Sequence, residues 1–191
     1  SEAGRKAQLA ALAVVERAEP TSERSLATWQ KRLDKLAKKQ RTLEKKSGSY
    51  HWWEDDERGF FIVQGETKRP EGLFIGLHGG GVGSGDANTS AGSHGPAAGR
   101  LDWVGIFPEV LEKTEHGWTD AGTEEWVLDL VDAALRTWDI DPDRVYLGGH
   151  SMGGYGTWVI GARHADRFAG LVPSAGAPSP ILDRDGRVVA I

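Results

Sequence analysis

Cysteine is missing from all 191 residues. That excludes a disulfide scaffold, a thiolate zinc site, an iron–sulfur cluster and a cysteine nucleophile, and it leaves the compartment open. Long hydrophobic runs are missing too: with no eighteen consecutive apolar residues, no segment reads as a membrane span. His and carboxylate pairs at zincin or EF-hand spacing are also absent, so no metal and no other cofactor is expected. Localisation stays unknown, because the chain opens at Ser1 and anything ahead of it, a signal peptide included, is unreadable. What remains is 39% hydrophobic residues, enough for one domain with an appendage or for part of a larger domain.

Basic residues are concentrated at one end. Residues 1–46 hold twelve Lys/Arg and six Asp/Glu, whereas the rest hold eleven and twenty-two. A basic head on an acidic body can signal nucleic acid or an anionic surface. Here the cations alternate with leucines on a helical pattern, without the stacked aromatics of a single-strand binder. The expectation is a solvated helical face, with neither nucleic acid nor membrane as partner. Residues 3–19 read as an Ala-rich helix stopped by Pro20. Thr21 or Ser22 caps a second helix, in which Leu26, Trp29, Leu33, Leu36 and Leu43 form one stripe that ends near Gly48. Together they predict a two-helix extension over residues 1–48, with residues 22–46 available for self-association.

From Tyr50 onward, short apolar runs are separated by Gly, Pro and acidic residues. Strands are expected at Phe60–Val63, Leu73–Leu77, Trp103–Phe107, Arg144–Gly148 and Phe168–Val172. A helix runs through Trp126, Val127, Leu130, Val131, Ala134, Leu135 and Trp138, announced by Thr123-Glu124-Glu125. A second helix, over about 152–163, is expected to bury Tyr155, Trp158, Val159 and Ala162. Residues 81–100, rich in Gly, Ser and Ala, read as a long loop, and His51-Trp52-Trp53 as an aromatic anchor between the helical head and the sheet. Strands alternating with helices predict a mostly parallel α/β sheet over residues 49–191.

Two constellations carry chemistry. Gly149-His150-Ser151-Met152-Gly153-Gly154 stands between an expected strand and an expected helix, the context that G-x-S-x-G requires. Glycines two residues either side permit a sharp turn that strains Ser151 and lifts its hydroxyl clear of the sheet. Ser151 is therefore the candidate nucleophile, with the Met152 N–H a donor to the oxygen of the carbonyl it attacks; the rival reading is a structural turn. His78-Gly79-Gly80-Gly81 ends an apolar strand and opens a Gly-rich loop whose N–H groups can converge on an oxyanion. A phosphate cradle fails on spacing. No G-x-G-x-x-G begins at Gly79, Gly81 or Gly83, and Asp86 stands where the P-loop spacing of Gly80 and Gly85 needs Lys. His150, Trp103 and Trp118 are the candidate substrate-binding residues, whereas His94 and His116 read as surface-loop residues ahead of a cleft-lining role.

These residues resemble the serine-nucleophile α/β-hydrolases. The stretch Arg144 to Pro173, with Gly149 to Trp158 and Ala162-Arg163-His164-Ala165-Asp166-Arg167-Phe168, is similar to the branch of dienelactone hydrolases, feruloyl esterases and prolyl-oligopeptidase-like enzymes. The resemblance runs from about Phe60 to Ala177 and implies an α/β-hydrolase fold. It implies hydrolysis of a small-molecule carboxyl ester through an acyl-enzyme on Ser151, with Gly79, Gly80 and Met152 holding the oxyanion. It also demands an acid and then a His after the serine. No His follows His164, which stands about 18 Å along the helix from Ser151 at 1.5 Å per residue. Asp183 and Asp185, in an apparent hairpin turn, are the remaining candidates for the acid. The expectation is a hydrolase incomplete at its C-terminus, inactive alone, with an inner strand left as a sheet edge. A non-catalytic module that associates through its helices, a peptidase and an acyltransferase remain open beside the esterase.

Overall fold

The computed structural model describes residues 22–37, 40–53, 58–178, 181–182 and 188–190. The helix expected over 3–19 lies outside them. Contacts divide the chain into two compact units, Ser1–Gln40 and Arg41–Ile191. In the first, α1 (Glu23–Ala37) starts at Ser22, whose Oγ accepts the Ser25 N–H at 3.2 Å, and Glu23 complements the positive end of the helix. Leu26, Trp29 and Leu36 are each more than half exposed on α1. Leu43 does not extend their stripe. It belongs to the second unit, where it packs on the core and its N–H donates to Thr137 Oγ1 at 2.8 Å. Burial there removes more apolar surface from water than an exposed helical stripe would.

The second unit is built on a six-stranded mixed sheet. β1 (Gly48–His51), β2 (Phe60–Gly65), β3 (Leu73–Leu77), β4 (Val104–Pro108), β5 (Val145–His150) and β6 (Gly170–Ser174) lie in the order β1-β2-β4-β3-β5-β6. β1 and β4 each pair with β2 antiparallel; β4, β3, β5 and β6 run parallel. β7 (Ile181–Leu182) and β8 (Val188–Ala190) form a separate antiparallel pair. Asp183 and Asp185, between them in sequence, lie outside the described residues.

One face of the sheet carries the large core. Leu73, Ile75, Leu77, Val145 and Leu147 meet Trp126, Leu130 and Val131 of α3 (Thr123–Trp138), together with Ile160 of α4 (Met152–Arg163). The strand residues alternate, so Phe107 faces the other way and packs with Ile62 under Ala87 and Ala91 of α2 (Ala87–Arg100).

The sequence reading of residues 81–100 as a loop is corrected by α2. Three interior glycines and Pro96 lower its intrinsic propensity, but it forms because small residues let it lie close to the sheet. A side chain at Gly95 would run into that of Gln64. Asp86 caps the helix, its Oδ1 accepting the Thr89 N–H at 2.9 Å. The inward face expected of α4 is corrected too. Tyr155 and Ala162 are exposed, and Gly153, Gly154, Gly156, Thr157, Ile160 and Gly161 are buried instead. A Cβ at Gly156 would stand 2.5 Å from that of Trp118, and one at Gly161 2.5 Å from Leu171 Cδ1. At that separation only the smallest residues fit, so the bulky ones point outward.

Candidate active site

β5 delivers the chain to Ser151, which takes φ 54° and ψ −116° before α4 begins at Met152. A side-chain-bearing residue held there costs on the order of 1–3 kcal/mol, so its surroundings must over-determine it. They do. The Ser151 N–H donates to the Ser174 carbonyl at 2.9 Å, and its own carbonyl accepts the Tyr155 N–H at 3.0 Å. Glycines clear the space on both sides. A Cβ at Gly149 would sit 2.5 Å from the Gly153 carbonyl oxygen, one at Gly153 2.8 Å from that of His78, and one at Gly154 2.9 Å from the Gly176 nitrogen.

β3 ends against this turn and releases the His78–Gly81 loop. A Cβ at Gly79 would lie 2.8 Å from the His150 carbonyl oxygen and 3.4 Å from Ser151 Cβ, so the loop passes directly beside the serine. Gly80 turns at φ 148° and Gly85 at 88°, where a side chain would strike the Gly79 carbonyl. Gly81 faces a different task. Its N–H donates to Ser84 Oγ at 3.0 Å, and its carbonyl accepts the Ser84 N–H at 3.0 Å, closing a small turn. That N–H is spent within the loop.

His78 is buried and both of its ring nitrogens are engaged. Nε2 accepts the Val110 N–H at 3.1 Å, which places the proton on Nδ1, 2.9 Å from the Gly79 carbonyl. Burial holds its pKa below the usual histidine range, with the Gly79 hydrogen bond opposing, and the ring stays neutral. Asp86 is held below the usual carboxylate range, chiefly by the Thr89 N–H. Its charge occupies the start of α2.

A cleft of about 420 Å³ brings together Gly79, Gly80, His150 and Ser151. His150 is exposed there, its Nδ1 3.3 Å from Ser174 Oγ. The opposite wall comes from α2, with Thr89, Ser90, Ser93 and His94. The sequence reads His94 as a surface-loop residue and does not single out the three hydroxyl residues; the helix places all four on the cleft. The Asp86–Thr89 capping pair ahead of spaced alanines is the signal that could have revealed their helix. The side chain of Met152 packs on the core, and its backbone stands at the head of α4.

Two expected cleft walls lie elsewhere. Trp103 precedes β4 and stacks on Tyr146 near the start of β5, with ring centroids 4.8 Å apart, at the opposite end of the strands from Ser151. Trp118 is 1% exposed and is a core residue. His116 is exposed on its own turn beside Glu115. His164 caps the far end of α4, where Glu124 holds its Nε2 at 2.5 Å. His51 lies on β1, edge-on to Phe60. Among the described residues no group of three or more His, Asp or Glu could hold a metal ion, and no helix is long and apolar enough to cross a membrane.

The family-model match covers the same region. The model of the prolyl oligopeptidase family matches residues 114–183, from the turn before Trp118 through Ser151 and α4. The bifunctional acetylxylan esterase/xylanase XynS20E of Neocallimastix patriciarum is 36% identical over 61 residues, 31% of this chain and 9% of that protein. The putative esterase NocK of Nocardia uniformis subsp. tsuyamanensis is 32% identical over 133 residues, 61% of this chain and 37% of that one. The chain thus spans well under half the length of these curated relatives. Among solved structures, acetyl xylan esterase from Aspergillus awamori superposes with a TM-score of 0.54 over 76% of this chain and 57% of its own, at 15% identity, a likeness of fold. The mixed sheet flanked by helices, together with this superposition, gives the chain an α/β-hydrolase fold.

Proposed function

We propose that the protein is a serine esterase. Ser151 Oγ attacks the carbonyl carbon of a carboxyl ester and loses its proton to a base, and the alcohol departs. Water then releases the acid from the acyl-enzyme. The observation that carries the reading is the strained backbone of Ser151 beside Gly79, a conformation that a plain structural turn has no need to hold. The N–H groups of Gly79, Gly80 and Met152 are the donors to the oxyanion, at a loop and a helix head where no side chain need intervene. His150, exposed on the cleft, contacts the substrate. The esterase names of two relatives support ester hydrolysis.

In this reading the base and its acid come from outside the described residues. His78 has both nitrogens engaged, His164 is held by Glu124 at the wrong end of α4, and His94 and His150 turn Nδ1 to Ser90 and Ser174 rather than to Ser151. Without a base Ser151 keeps an ordinary hydroxyl, so the described residues alone are nearly inert. The test is turnover of p-nitrophenyl acetate by the intact protein and by Ser151→Ala. A loss of about 10⁴-fold or more is expected, and unchanged turnover rejects the reading. The match to the prolyl oligopeptidase family supports a second reading, a peptidase on the same serine, which p-nitroanilide substrates distinguish. Self-association through residues 22–46 is a separate proposal, supported by the exposed Leu26, Trp29 and Leu36. A sedimentation coefficient unchanged by Leu26→Glu with Leu36→Glu removes it.

A further inference from the structure

We propose that Trp118 and His78 are positioning residues that aim the N–H groups of Gly79 and Gly80. The inference rests on the reading of Ser151 as nucleophile with those backbone groups facing its oxyanion.

The argument begins with the peptide bond. In a trans peptide the C=O of one residue and the N–H of the next are rigidly coplanar and point in opposite directions. Fixing the His78 carbonyl therefore fixes the Gly79 N–H, and fixing the Gly79 carbonyl fixes the Gly80 N–H. Each carbonyl is held by one side chain. Trp118 Nε1–H donates to the His78 carbonyl at 3.0 Å, and His78 Nδ1–H donates to the Gly79 carbonyl 2.9 Å away. The proton is on Nδ1 because Nε2 accepts the Val110 N–H. Glycine has no side chain to restrain these planes, so the two hydrogen bonds supply the restraint that the residue type removes.

The same turn packs against α4. Trp118 lies against α4 at Gly156, and its ring stands edge-on to the imidazole of His78 at 5.1 Å and 64°. One residue earlier Gly117 turns at φ 51°, and a Cβ there would come within 2.6 Å of Met152 Sδ. The turn is itself tied down, since Thr114 Oγ1 donates to Asp120 Oδ2 at 2.5 Å and accepts the His116 N–H at 3.0 Å. Trp118 thus touches His78, through both its ring and its carbonyl, without lining the cleft.

The test replaces Trp118 with β-(3-benzothienyl)alanine, which keeps the shape of the indole and puts sulfur where the N–H was. For p-nitrophenyl acetate, kcat should fall about tenfold or more while KM stays within about twofold, because a misaimed donor is felt in the transition state. The Gly79 amide resonance should move in the ¹⁵N–¹H spectrum, while those in the middle of α4 stay in place. Parental kcat and a parental Gly79 resonance overturn the proposal. A second measurement needs no substitution: the ¹⁵N shifts of His78 should show Nδ1 protonated and Nε2 bare, and the opposite tautomer overturns the aiming of Gly80. If Ser151→Ala turns over ester like the parent, it is the reading of Ser151 that fails; the two spectral results then decide the positioning claim alone.

Discussion

α3 and α4 pack on the same face of the same sheet, yet they do so by opposite means. α3 buries Trp126, Val127, Leu130, Val131 and Trp138, large residues at helical spacing that hold it at ordinary distance. α4 buries four glycines with Thr157 and Ile160, and it turns Tyr155 to solvent. The difference follows from what each helix must do. α3 fills a core. α4 has to start at Ser151 within contact of the carbonyls that end β3, and every added methyl group on that face would lift it away. Hydrophobic periodicity therefore finds the first kind of helix and misorients the second.

The comparison is sharpest at Gly153. Gly153→Ala should cost about 4 kcal/mol or more, or displace α4, because the new methyl meets the carbonyls of Leu77 and His78 in a rigid strand end. Urea titration reads the loss; a change below about 1 kcal/mol would show that α4 is not held so close. Leu130→Ala, the equivalent test on α3, should cost about 3 kcal/mol by cavity formation rather than collision, with the midpoint lowered and the slope of the titration preserved.

A smaller effect comes from protonation between the two helices and the loop. His78 has its pKa depressed in the folded state, first by burial, so the unfolded chain takes up a proton that the folded one refuses. Stability should be flat above about pH 6.5, the ordinary histidine value. It should fall as pH drops below that, by at most about 1.4 kcal/mol per pH unit, until the folded pKa is reached. His78→Gln should flatten this slope. Asp129 bears the opposite sign: burial first, and Asp132 next, raise its pKa, so its contribution improves as pH falls through the carboxylate range. The smallest effect is expected at Tyr155, which reads from sequence as core. Tyr155→Ser should change stability by less than about 0.5 kcal/mol, and a loss above about 2 would restore the sequence expectation.

Legibility in the sequence tracks how tightly a residue type constrains the backbone. The turn at Ser151 and the loop at Gly79 and Gly80 were both legible, since few backbone geometries demand glycines at fixed offsets beside a serine or at a strand end. Five of the six sheet strands were legible from apolar runs; β1, with the sequence Gly-Ser-Tyr-His, has none. α2 was not legible because Ala, Ser and Gly favour a close helix and a loop almost equally, and its hydroxyl wall on the cleft went with it. Trp118 was misread for a different reason. An indole can serve as a flat cleft wall or as a buried N–H donor, and only its hydrogen bond to His78 distinguishes the two.

The central claim is that the strained Ser151 is the nucleophile, and it meets its most direct test in intact-protein mass spectrometry after exposure to a fluorophosphonate ester. In the intact protein a single adduct is predicted on Ser151, absent from Ser151→Ala. Ester turnover without that adduct, or an adduct that survives Ser151→Ala, would contradict the account.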